Sequence, residues 1–164
     1  DIIFERLNGI ETDLHFADDH ELSKEIDLIE YSRTLMLTTL NNLINVYGQD
    51  LKNEQWALEP LADIVISFSV MYMGFLRYTQ LKENEYKQKT LPILRYSIDR
   101  NFMKLLSKVK DINGYIIDKL DDNSKNYYGK LIEEFNSLNY FCSSIELKKL
   151  ICDEFYIHGK YYLD

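Results

Sequence analysis

The chain has 164 residues, 46% of them hydrophobic, and a formal net charge of −8. That length suits one domain with a real core and falls short of two, and the apolar content excludes a disordered chain. Six Gly and two Pro are too few for the turns of a sandwich or barrel, so few and long elements are expected.

The charge is unevenly placed. Residues 1–30 hold ten acids against Arg6 and Lys24, which accounts for the whole net charge. An acidic opening repels phosphate backbones, so nucleic acid is excluded as a partner. Asp1 to Leu14 mixes apolar and acidic positions without the basic start of a signal peptide. Asp1 in place of Met points to a trimmed chain. Apolar stretches are interrupted by charge well before about 20 residues, so no membrane span is expected. Cys142 and Cys152 lack clustered His or further Cys, a pattern expected of reduced and partly buried thiols in a soluble intracellular protein.

Residues 1–18 read as an acidic lead-in and 19–164 as a single all-α domain, an antiparallel bundle of about five helices. The first helix is expected from Asp19 to Tyr47, capped by Asp18 or Asp19, with Leu22, Ile26, Ile29, Leu37, Leu40, Ile44 and Tyr47 as its stripe. Gly48 is its natural stop. Asp50 is placed to cap a second helix reaching Lys82, although Pro60 offers an alternative start. Apolar residues from Leu51 to Leu76 cover most of that helix's circumference, the mark of a central helix.

A third helix spans roughly 85–120, with Pro92 and Gly114 as points where it bends or breaks. Asp121 to Ser124 reads as a turn, and residues 125–138 as a fourth helix. Ser143 and Glu146 form a capping box for a fifth that ends at Gly159.

No assembled chemistry emerges. A di-iron bundle needs Glu-x-x-His, which is absent from the sequence. His15, Asp18, Asp19 and His20, and likewise Glu154 with His158, are expected to be exposed polar residues near helix ends. Nucleophile elbows and phosphate-cradling glycine loops are missing too. Asp63 lies on the most apolar helix, where an unpaired charge is costly. It is either a catalytic acid or base, or a buried acid bonded to a helix end, Arg33 or Arg77; the second is the expectation. Lys104, Lys108 and Lys110 read as a solvated face. The tyrosines are expected half-buried between helices, and Trp56 at a packing seam with Phe68 and Phe75 as further packing or interface residues.

One run has a familiar form. Val46-Tyr47-Gly48-Gln49-Asp50-Leu51-Lys52-Asn53-Glu54-Gln55, continuing to Leu61-Ala62-Asp63-Ile64-Val65-Ile66, resembles the C-terminal helical extension of very-long-chain-type acyl-CoA dehydrogenases. In that family a helix ends at Tyr-Gly, an acidic turn and a Glu-Gln pair follow, and Leu-Ala-Asp opens a hydrophobic helix. Arg77 falls where the family often has a basic residue, and the stretch from Leu147 to Tyr161 resembles the last helix and tail of bacterial members. The resemblance covers about thirty residues well and about fifteen more loosely.

It implies a helical domain appended to a body that binds FAD and oxidises fatty acyl-CoA thioesters. The family's catalytic Glu and flavin-binding segments lie upstream of the extension, so no catalytic, cofactor or metal residue carries over. Asp63 and Arg77 carry over as structural polar positions. The expected partners are the dehydrogenase body or a dimer mate, in a bacterial cytoplasm or mitochondrial matrix; membrane contact fits poorly with the acidic opening. The alternative is a free-standing helical protein-interaction module.

Overall fold

The computed structural model describes residues 22–137 and 144–158. Among them are five α-helices and no strand: α1 (Ser23–Tyr47), α2 (Gln55–Thr79), α3 (Asn84–Ile116), α4 (Asp122–Ser137) and α5 (Ser144–His158). Short 3-10 segments, Gly48–Asn53 and Ile117–Lys119, follow α1 and α3. The acidic lead-in, the Ser143 end of the capping box and Gly159 lie outside the described residues.

Local chemistry explains most boundaries. Gly48 adopts φ +54°, and its N–H donates to the Ile44 carbonyl to end α1. A side chain there meets no clash but sits in backbone space that L-residues avoid. Asp50 does not cap α2: it lies within the 3-10 segment, and α2 begins at Gln55. Pro60 is inside α2 and Pro92 inside α3, and both helices continue through them. Gly114 does not break α3 either. At α4 the Asp121 carboxylate accepts from the Ser124 N–H and hydroxyl, both at 2.9 Å, which satisfies an otherwise orphan helix donor.

The central element is α3, not α2. Its 33 residues make a rod of about 50 Å. It carries Leu94, Ile98, Phe102, Leu105, Val109, Ile112 and Ile116 as one buried stripe, spaced by threes and fours. It touches α1, α2 and α5. Cross-contacts fix the directions. Glu25 meets Arg95 and Asn42 meets Asn113, pairs 70 and 71 residues apart, so α1 and α3 run parallel. Asp63 meets Lys104 and Trp56 meets Tyr115, so α2 runs antiparallel to α3.

The first helix buries part of the expected stripe, with Leu22 and Ile29 in the core and Ile26 and Tyr47 packed against it, but its inward face is otherwise shifted. Leu28, Ser32, Leu35, Thr39, Asn42 and Leu43 face inward, whereas Ile44 is exposed and Leu37 and Leu40 are half-buried. Of the inward polar groups, Ser32, Thr39 and Asn42 are hydrogen-bonded, whereas the Thr38 hydroxyl and one Glu25 carboxylate oxygen have no hydrogen-bond partner among the described residues. The Ser32 hydroxyl donates to the Leu28 carbonyl at 2.7 Å. The Asn42 amide donates to Asn113 Oδ1 at 2.7 Å, and Asn113 Nδ2 donates to Thr39 Oγ1 and the Val109 carbonyl, each at 2.9 Å. Paired in this way, an amide is tolerated inside a core.

Phe102 on α3 meets both Tyr31 on α1 and Phe135 on α4, which also stack on each other. The Tyr31 hydroxyl donates to the Leu131 carbonyl, tying α1 to α4. Burial, reinforced by Glu134 and Tyr128, pushes that phenol well above its ordinary range and keeps it a donor.

Candidate functional site

The most distinctive surface is the outer face of α2. Its inner positions Ala57, Ile64, Ser67, Met71, Phe75 and Tyr78 are buried. The outer ridge runs Glu59, Ala62, Ile66, Val70, Met73, Arg77, and every one of these is exposed. Ile66 is 56% exposed and Met73 64%; Val65 and Val70, at 44% and 43%, widen the patch. The helix is therefore apolar on two sides and covered on one. By length and composition alone α2 is also apolar enough to cross a membrane, with 22% of its most apolar window buried, which qualifies the expectation that no stretch would be. Its inner face is packed along α3, as in a protein core helix.

Asp63 stands at the edge of this face, half-exposed, and its partners differ from the arginines expected. Lys104 donates to Oδ1 at 3.0 Å and Lys108 lies 3.8 Å from Oδ2. Arg33 pairs instead with Glu30 on its own helix, and Arg77 is exposed near the far end of α2. The lysine face of α3 thus holds Asp63 between two cations. The Lys104 hydrogen bond, with the charges of both lysines, keeps the Asp63 carboxyl below its ordinary value of about 3.8.

A group depressed in the folded state stabilises above its unfolded pKa, and that contribution is lost as pH falls through the folded value. Asp63→Asn should therefore lower the urea midpoint at about pH 6 by a small amount that shrinks in high salt and vanishes towards about pH 2, as for an exposed pair. A difference that persists at the acid end would show that the carboxylate's charge is not what matters.

At the start of α2, about two turns before Asp63, is an aromatic cluster. The Trp56 ring lies 4.3 Å from that of Tyr115 and 6.1 Å edge-on from Tyr47. Its indole N–H donates to Glu54 at 2.6 Å. Lys119 covers the Tyr47 and Tyr115 rings at 5.0 and 5.4 Å and donates to the Tyr47 hydroxyl at 3.0 Å; that bond raises its pKa. Trp56 joins the end of α1, the start of α2 and the end of α3 while remaining 37% exposed. Phe68 is half-buried and stacked on Tyr72, and Phe75 is buried in the core.

A polar cavity of about 430 Å³ opens between α1 and the start of α4, lined by Thr38, Asn41, Asn45, Asp121, Asn123 and Ser124 among others. Its lining has one carboxylate and no basic side chain. The Thr38 hydroxyl in its wall is buried without a hydrogen-bond partner. Sequence reasoning missed this cavity because its lining residues come from helix-terminal and half-buried positions that carry no periodic signal.

Among the described residues no group of three or more His, Cys, Asp or Glu is placed to hold a metal. Cys152 is exposed on α5. His15, Asp18, Asp19, His20 and Cys142 lie outside the described residues, as do the side chains of Glu154 and His158.

No family model, curated protein or solved structure matches the chain.

Proposed function

We propose that this chain is a helical accessory domain that acts by packing against protein through the outer face of α2, in the manner of the C-terminal extension of a flavin-dependent acyl-CoA dehydrogenase of fatty acid β-oxidation. The observation that carries the reading is the exposed Ile66–Val70–Met73 face, which continues directly from the family-like run. A solvent-facing ridge of this kind marks an interaction surface more often than chance exposure does.

The local structure of the run supports the same reading. A helix closes at Tyr47-Gly48, a turn containing Asp50 follows, and Glu54-Gln55 leads into the apolar helix, although Leu61-Ala62-Asp63 lies inside that helix and does not open it. In this view FAD and the catalytic base belong to the dehydrogenase body, and Asp63 and Arg77 are structural. The second reading, a free-standing interaction module, draws on the same exposed face.

Capturing the endogenous protein with an antibody to this domain separates the two. A polypeptide several times larger, yellow with flavin and yielding peptides upstream of Asp1, is the expected result. A colourless product of about this chain's size would overturn the dehydrogenase reading and favour the free-standing module.

A further inference from the structure

The α2 ridge has a charge at each end and apolar residues between, and that arrangement is self-complementary. We infer that the face pairs with a second copy of this chain, α2 against α2 in antiparallel orientation. The inference rests on the reading of this face as a protein-docking surface, and it names the occupant.

The register follows from the residues. Glu59 and Arg77 are 18 positions apart, about 27 Å along the axis, and both are exposed at the margins of the ridge. A two-fold axis beside residue 68 sets Glu59 of each copy against Arg77 of the other. The same axis sets Ile66 against Val70 and Ala62 against Gly74, with Met73 opposite Asp63, each contact made twice, as an isologous interface requires. Parallel pairing would instead place Glu59 on Glu59 and Arg77 on Arg77, a like-charge arrangement that costs both ends. Ser69, small and exposed beside the axis, and Ala62 towards each end leave room for the two backbones to approach.

Size sets the strength. At roughly 150–200 Å² for a fully exposed large side chain, the exposed parts of Leu58, Val65, Ile66, Val70 and Met73 amount to roughly 400 Å² per copy. Two copies with a polar rim reach about 1,000–1,200 Å², the lower end of specific interfaces. A reversible dimer of about micromolar affinity is the corresponding expectation, rather than an obligate one.

Sedimentation equilibrium of the 164-residue chain across about 1–200 μM tests this. The expected result is a monomer–dimer equilibrium that Ile66→Glu with Met73→Glu abolishes while helical circular dichroism is unchanged, because both side chains are exposed. Glu59→Arg alone and Arg77→Glu alone should each weaken the dimer by about tenfold, and the two together should restore it. A chain monomeric throughout this range overturns the proposal, as does a dimer indifferent to the ridge substitutions or one that the double charge swap fails to rescue. Co-flotation of the monomeric chain with phosphatidylcholine–phosphatidylglycerol vesicles, lost in Ile66→Glu with Met73→Glu, would make the face a lipid surface and also overturn it. None of these readouts depends on a flavin or on upstream peptides, so failure here is separable from failure of the dehydrogenase reading.

Discussion

Phe102→Ala should be the most damaging single substitution in the described bundle, costing about 4 kcal/mol. Phe102 is fully buried on the central helix, with ring centroids 6.2 Å from Tyr31 and 5.4 Å from Phe135. Three helices therefore lose contact at one position, and none can collapse into the void without pulling away from the others. Against a typical stability of about 5–15 kcal/mol, the loss is a large fraction of the total. In urea the midpoint should fall by about 2 M with an unchanged slope. Met73→Ala on the exposed ridge is the matched control and should change the stability by under about 0.5 kcal/mol. Similar losses for the two would contradict the assignment of α3 as the core and α2 as the rim.

The second large effect is expected at Asn113. Replacing it with Ala removes three hydrogen bonds at a fully buried site, stranding the Asn42 amide and the Thr39 hydroxyl away from water. An unmet buried polar group costs about 1–3 kcal/mol, so Asn113→Ala should lose about 3 kcal/mol. Asn42→Ala should cost less, and the double variant less than the sum, with a coupling of at least about 1 kcal/mol. Additive effects would mean that the two amides do not act as a unit. The pair also locks register: sliding α1 by one turn along α3 keeps most apolar contacts but leaves both amides unmet, so Asn113→Ala should broaden amide resonances along α1.

Helix existence was legible in the sequence because threes-and-fours spacing is a direct image of the helical period. On α3 the spacing of Leu94, Ile98, Phe102, Leu105 and Leu106 shows this best, although the stripe read there stops short of the buried Val109, Ile112 and Ile116. Burial was less legible, for a physical reason. The period says which residues share a face, whereas what covers that face depends on other helices. The all-round apolar character of α2 was read as central, yet only its Ile64–Met71–Phe75 side is packed.

In α1 the error had the opposite cause. Ser32, Thr39 and Asn42 look like surface residues until Leu28, Asn113 and the hydrogen bonds joining them are known, so the expected stripe catches Leu22 and Ile29 but extends to the half-buried Leu37 and Leu40 and the exposed Ile44. The candidate site shows the same limit. Asp63 stood out because a carboxylate interrupts an apolar helix, but its lysine partners lie 41 and 45 positions away, beyond the reach of any spacing rule.

The parallel course of α1 and α3 has a kinetic consequence. Contacts such as Glu25–Arg95 and Asn42–Asn113 close loops of roughly 70 residues, which is entropically expensive while the intervening chain is unfolded. Once α2 has folded back on α3 through a connection of only a few residues, most of that loop is already ordered. The favoured order of assembly is an α2–α3 hairpin first and capture of α1 afterwards. Truncations at Met71 and Phe75 should then slow refolding, whereas those at Leu35 and Leu43 should mainly hasten unfolding in stopped-flow experiments. The half-formed hairpin, with the place of α1 still vacant, presents apolar surface on two sides, and it is the species whose lifetime decides whether the chain folds or aggregates.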